Sequence, residues 1–325
     1  MVQTTNRNQE DKIVKKIEAL QDLRGIAIIM VIFFHVGSTV FGNNNIFMHG
    51  KNDVLLFFIV SGFIISSIHK NDVGIEKFVL FLKKRAIRIY LPIFFIFVIL
   101  FAITGKGTEY HHDIFNIIRN FFLIQNPVES IHPYSWTLVY EMFYYVTFAF
   151  FSILFGWSIY IYVFIIITPI VISRLFGIYY DDSIIFTSFY NLYFLAGVLI
   201  SYYYNSFKIN SSNSTLVLVF FIFLLLPFII ENEMIIFLST ILFFIVYLKR
   251  DISNRFLNII GNASFSIYLV HALVISIGKY IIPDLNFIKF LSLVLFSFLF
   301  GYIYHIYFEN KIVKEINKKF LKRIK

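Results

Sequence analysis

The sequence predicts an all-helical, polytopic membrane bundle of about ten spans with both chain ends on one side, and three observations carry that expectation. First, 59% of the 325 residues are hydrophobic, only 14% are charged and the mean hydropathy is +0.78, more apolar surface than a soluble domain can bury. Second, the apolar residues arrive in blocks, such as Ile26 to Val36, Val54 to Ile68 and Leu216 to Ile230. Flanking polar residues trim these blocks to roughly 16 to 22 residues, the length that crosses a bilayer. Third, tyrosines gather at block ends, at Tyr179-Tyr180 and Tyr202 to Tyr204, as interfacial belts require.

Ten segments follow, at 24–41, 54–69, 88–104, 136–155, 157–173, 184–203, 215–230, 233–248, 263–281 and 287–307. An even number places both termini on one side, and 22 of the 28 lysines and arginines then fall there, against 6 on the other. Positive charge is retained inside, so the termini are expected in the cytoplasm. The net charge of +9 is thus a topological signal, and its distribution argues against nucleic acid as a partner. The first 22 residues lack the basic start, short apolar core and cleavage site of a signal peptide, and no processing is expected. With no cysteine, disulfides, thiolate metal sites and a cysteine acyl-enzyme are excluded. No repeat or linker divides the chain. The expected organisation is a cytoplasmic segment at 1–23, one membrane domain at 24–309 and a basic cytoplasmic tail at 310–325.

Along the chain, each span is examined for polar groups, because these are expensive in lipid and mark function. In the first span Arg24 and His35 are eleven residues apart, which returns to within about 20° of the same helix face. At about 1.5 Å per residue, His35 lies about 16 Å beyond Arg24, near the midplane. Ser61 lies midway along the second span, and with Gly62 reads first as a small-residue packing point. Arg85 and Arg88, three apart at the mouth of the third span, share a face and a level with Arg24, with Lys83 and Lys84 beside them. Isolated arginines there usually serve as snorkelling anchors, but a group at one level suits phosphate, because guanidinium forks match phosphate oxygens.

The connection at 105–135 alternates apolar residues with Asn116, Arg119 and Asn120, which predicts an interfacial helix. His111, His112 and Asp113 read as solvated loop, since adjacent residues do not converge on one metal ion. Trp136 opens the fourth span as an interface anchor that could also flank a sugar. Glu141 lies a few residues further in, and His271 lies midway along the ninth span. His35 also has a structural reading, as a packing histidine satisfied by a neighbour's backbone carbonyl, and Glu141 has one as the partner of a tyrosine or histidine. His271 is equally open to a structural part. Glu309 is expected to close the tenth span by pairing with nearby lysines.

A cationic mouth leading to a midplane histidine and glutamate describes a passage for an anionic donor. A neutral imidazole, with an ordinary pKa near 6.5, can take a proton from a hydroxyl attacking a thioester while a carboxylate fixes its tautomer. Direct transfer and an acyl-histidine route need the same imidazole.

At these residues the sequence resembles the acyltransferase-3 family of bacterial membrane acyltransferases. LRGIAIIMVIFFH carries the family's arginine, ten residues, then histidine pattern, with Arg24 and His35 in its two places. LFFIVSGFII from Leu56 looks like its second-helix motif and KKRAIRIYLP from Lys83 like its basic opening of helix three. SWTLVYEMFYY from Ser135 resembles its tryptophan and glutamate motif, and ASFSIYLVHALV from Ala263 its late histidine motif. Members often have an acidic residue just before the paired phenylalanines of helix two, where this chain has Leu55, with Asp53 two positions earlier. Some members carry a fused esterase-like outer domain, which is not expected in the short basic stretch after Glu309.

The resemblance implies transfer of an acyl group, commonly acetyl from acetyl-CoA, to an extracytoplasmic glycan such as O-antigen, exopolysaccharide or peptidoglycan. It gives His35 a catalytic role and the arginines the donor. The sequence-level expectation is therefore an O-acetyltransferase of the bacterial inner membrane. His35 and Glu141 would be catalytic, Arg24, Arg85 and Arg88 would bind acyl-CoA, and Trp136, Ser61 and His271 would support substrate. No cofactor is expected to be resident and no metal. The acceptor would be a glycan or lipid-linked oligosaccharide. A secondary transporter or lipid-linked sugar flippase is the alternative, although it commonly shows internal repeats and paired helix breaks. A membrane-bound O-acyltransferase of the other large superfamily would share the chemistry without these motifs.

Overall fold

The computed structural model describes residues 2–42, 54–104, 114–124, 135–177, 184–206, 212–230, 232–249, 253–282, 286–316 and 319. It is all-helical, 90% helix, with no strand among the described residues. The helices are α1 (Val2–Phe41), α2 (Val54–His69), α3 (Ile75–Thr104), α4 (Ile114–Phe122), α5 (Trp136–Phe148), α6 (Ile159–Phe176), α7 (Tyr190–Tyr203), α8 (Asn213–Ile229), α9 (Glu233–Leu248), α10 (Arg255–Ile281) and α11 (Asn286–Tyr304). α5 and α11 continue as wider π-helical turns, Ala149–Leu154 and His305–Val313. Each of the ten apolar segments overlaps a helix, the sixth (184–203) only from Tyr190 apart from a short 3-10 turn at Ile185–Thr187. By length and composition, five stretches are long and apolar enough to cross a membrane: Ile17–Phe41, Trp136–Leu154, Ile159–Phe176, Arg255–Lys279 and Asn286–Ile316.

The polarity is inverted relative to a soluble protein. Large apolar side chains such as Phe164, Leu218 and Leu295 face outward, while Asp22, Thr137, Ser264, Ser266 and His271 are buried. Outward apolar faces cost nothing in lipid, whereas each inward polar group needs a partner.

Two close helix pairs organise the interior. α1 runs parallel to α10, and their crossing is built on Gly25 and Gly261: a Cβ on Gly25 would overlap the Leu257 carbonyl, and one on Gly261 the Gln21 carbonyl. α2 meets α7 the same way, with Gly62 against the Phe194 carbonyl and Gly197 against the Ile59 carbonyl. Small residues let backbones touch, which is how helices associate when lipid removes the hydrophobic drive. The packing role read for Ser61-Gly62 is therefore seen at Gly62. α11 closes on α10 through Gly301 against Ile267, and α8 with α9 forms an outer pair. The short α4 lies on α3, where Phe121 packs against Tyr90 and Phe94, and turns Phe115, Ile118 and Phe122 outward. That apolar outer face is the one a helix in the membrane surface would present.

The packed part of α1 begins before Arg24, with Ala19, Leu20, Asp22 and Leu23 all buried. Asp22 ties α1 to the α9–α10 connection. Its carboxylate accepts from the Tyr247 hydroxyl at 2.9 Å, the Asn254 backbone N–H at 2.9 Å and the Asn258 amide. Asn254 in turn caps α10 by accepting from the N–H groups of Phe256 and Leu257. Asp22→Ala would remove a fully buried acceptor shared by three donors, a loss of about 1–3 kcal/mol. A markedly lower thermal unfolding midpoint in detergent is expected; an unchanged midpoint would show the carboxylate to be dispensable.

Candidate functional site

The parallel α1–α10 pair determines the heart of the site. Gly25 and Gly261 sit together at the crossing, and each is followed ten residues later by a histidine, His35 and His271. Equal rise along parallel helices brings the two rings to one level. His35 Nδ1 is 3.0 Å from His271 Nε2, with ring planes 12° from parallel and centroids 5.1 Å apart. The centroid separation matches the N···N distance plus a ring radius at each end, so the rings are joined edge to edge.

This contact determines where the protons are. The Nδ1 of the fully buried His271 lies against the Tyr268 main-chain carbonyl, which can only accept, so Nδ1 carries the proton. With His271 neutral, its Nε2 must accept, and His35 Nδ1 donates to it. His35 Nε2 is then the basic nitrogen of the pair. The sequence reading had Glu141 orient either His35 or the sugar; of Glu141 and His271, it is His271 that contacts the His35 ring. The shared Gly-x9-His spacing of GIAIIMVIFFH and GNASFSIYLVH was the available signal.

Glu141 belongs to a neighbouring cavity of about 70 Å³, which also gathers Arg24, Arg85, Arg88 and Ser61. It accepts from Ser61 Oγ at 3.3 Å and from the Tyr145 hydroxyl. Arg85 lies over the rings of Phe81 and Tyr145, at 5.4 and 5.2 Å to the centroids. Arg24 reaches Gln21 at 3.4 Å. None of the three arginines forms an ion pair among the described residues; Glu141 and Glu309 are the acidic groups whose charges reach Arg24. Lys83 and Lys84 point away and are exposed, so the basic cluster narrows to the arginines.

The cavity is long and thin. On α2 its lining runs through Val54, Phe58, Ser61 and Ile65, one helix face about 16 Å long. A passage of that length and so small a volume is one chain wide, charged at the arginine end and apolar or aromatic at the Val54 end. Thr137 and Tyr268, whose hydroxyls pair at 2.8 Å, wall the side toward the histidines, and His271 lies one turn beyond Tyr268. Trp136 lies past that end, packed on Phe58 and Tyr190 at 6.4 and 5.2 Å between centroids.

A family model described as an acyltransferase domain, that of the acyltransferase-3 family, matches residues 17–306. The chain belongs to the acyltransferase-3 family. No curated protein and no solved structure matches it. The match spans every site residue named above except Glu309, and with the apolar helices it makes this an integral membrane acyltransferase.

Among the described residues no lysine pairs with Glu309. It accepts from Ser266 Oγ at 2.6 Å and from His305 Nδ1 at 2.8 Å, while Asn310 donates to His305 Nε2 at 2.7 Å. The π-helical turns that carry this network turn Glu309 inward, where sequence suggested an end. His111, His112, Asp113 and Asp53 lie outside the described residues. Among the described residues no three histidine or acidic side chains converge as metal ligands.

Proposed function

We propose that this acyltransferase moves an acyl group, most simply acetyl, from cytoplasmic acyl-CoA to a hydroxyl of an extracytoplasmic glycan. The observation that carries the reading is the oriented His35–His271 pair beside a narrow passage headed by three arginines. Arg24, Arg85 and Arg88 pair with donor phosphates, and the pantetheine arm lies along α2 with its thioester toward the Tyr268 layer. His35 Nε2 takes the proton of the acceptor hydroxyl as its oxygen attacks the thioester carbonyl. The C–S bond breaks, and the imidazolium returns the proton to the departing thiolate. Hydrogen bonding from Nδ1 to His271 stabilises the imidazolium while it exists. Glu141, held by Ser61 and Tyr145, balances the arginines and borders the arm.

The basic residues support a topology with both termini in the cytoplasm and ten spans, so the arginine mouth opens inward and His35 is reached by an acceptor from outside. The bacterial inner membrane, with O-antigen or exopolysaccharide as acceptor, is the matching setting. In inside-out membrane vesicles, label from radioactive acetyl-CoA is expected to move to membrane glycan only when the protein is present. Failure of every acyl-CoA tried, with the protein inserted, would exclude the reading.

In the same assay His271→Ala is expected to lower kcat on the order of 10²-fold through misplacement of His35. KM for acetyl-CoA should be unchanged, with partial recovery in His271→Gln. A change in KM alone would assign His271 to donor binding.

A further inference from the structure

Four buried side-chain polar atoms lack a partner among the described residues: Ser67 Oγ, Arg85 Nε, Ser152 Oγ and Ser264 Oγ. Two of them, Arg85 Nε and Ser264 Oγ, belong to residues that line the arginine cavity. Ser264 is fully buried, on a turn of α10 that faces the cavity, whereas Ser266, two residues on, turns to Glu309. A buried donor without an acceptor is costly, and two of them lining one cavity mark the place of something that accepts.

The other polar groups of the wall are already engaged. Ser61 and Tyr145 donate to Glu141, and Thr137 pairs with Tyr268. What remains unmet among the described residues is Arg85 Nε–H and the Ser264 hydroxyl, with the positively charged Arg24 and Arg88 beside them in the lining. The complement to such a set is an acceptor-rich anion. Size narrows it further. About 70 Å³ holds roughly five water-sized groups. That is the size of a single phosphate and is far below that of a nucleotide.

Building on the acyl-CoA reading, we propose that Ser264 and Arg85 seat the phosphate attached directly to the pantetheine arm, so that the protein recognises a 4′-phosphopantetheine thioester and leaves the adenosine portion outside the cavity. The arm then starts at the donor cluster and follows the α2 face toward Val54. Ser264 is a binding residue here, with no part in moving the proton.

The test compares acetyl-CoA, acetyl-4′-phosphopantetheine and acetyl-pantetheine as donors to purified protein in vesicles, using the unmodified protein, Ser264→Ala and Arg85→Lys. Arg85→Lys keeps the charge and removes the Nε–H. The two phosphate-bearing donors are expected to have matching KM values, with acetyl-pantetheine weaker by about 10-fold or more. Each substitution should raise KM for the phosphate-bearing donors about 10-fold and so remove most of their advantage over acetyl-pantetheine. If acetyl-pantetheine serves as well as acetyl-CoA, or acetyl-4′-phosphopantetheine serves no better than acetyl-pantetheine, the phosphate seat is overturned while the acyl-CoA reading stands. If none of the three donates, the acyl-CoA reading falls with it. The comparison of donors on the unmodified protein decides the matter even where a variant fails to insert.

Discussion

His35→Ala is expected to lower the rate of acyl transfer by about 10²–10⁴-fold, the range that a positioned general base contributes. Proton transfer depends on a single nitrogen. His271 receives the Nδ1 proton, so Nε2 is the position from which a hydroxyl can be deprotonated, and alanine removes both. Because His35 is half-buried and lies three turns from the Gly25 crossing, its loss should leave the helix pairs intact. Donor affinity belongs to the arginine cavity, so KM for acyl-CoA should stay near its original value. Initial rates in vesicles, normalised to inserted protein, measure both quantities. A variant with unchanged kcat would remove His35 from the chemistry.

Gly261→Leu is expected to be the most damaging change to the fold. Even a Cβ at this position overlaps the Gln21 carbonyl and crowds the Gly25 backbone, and neither backbone can yield without moving a helix. Overpacking costs about 1–3 kcal/mol in an adaptable core and more against rigid backbone. Separation of α1 from α10 would also part His35 from His271 and loosen the Asp22 contacts beside the crossing. The yield of monodisperse protein in detergent should fall sharply, and Gly261→Ala should give a smaller loss with reduced activity. A normal yield and full activity for Gly261→Leu would contradict the close crossing.

The apolar blocks made the helices legible, because in lipid each backbone group must be satisfied within its own segment. Length was less decisive: α2, α8 and α9 are apolar but short, and among the described residues five stretches meet the length and composition of a crossing helix. The Arg24–His35 stripe was readable from helical geometry, and Arg85 and Arg88 from their spacing. Which helices touch was not readable, and the partner assignments depended on that. His271 rather than Glu141 meets His35 because Gly25 and Gly261 bring α1 to α10. Asp22, in a segment read as solvated, is buried by partners more than 200 residues away in sequence. Glu309 was assigned to lysines because they follow it, yet its histidine partner four residues earlier was visible in the sequence. Ser264 had no signal in the sequence at all. It stands out only as a buried hydroxyl with no partner beside a cavity of donors.

The central claim is that this protein acylates an extracytoplasmic glycan through His35. Its most direct test is mass spectrometry of surface glycans from cells carrying the intact gene, no gene, or His35→Ala at matched protein level. The account predicts a mass increment of one acyl group with the intact gene and none in the other two. An unchanged glycan mass in all three, with only the amount of glycan at the surface altered, would contradict it and point to transport.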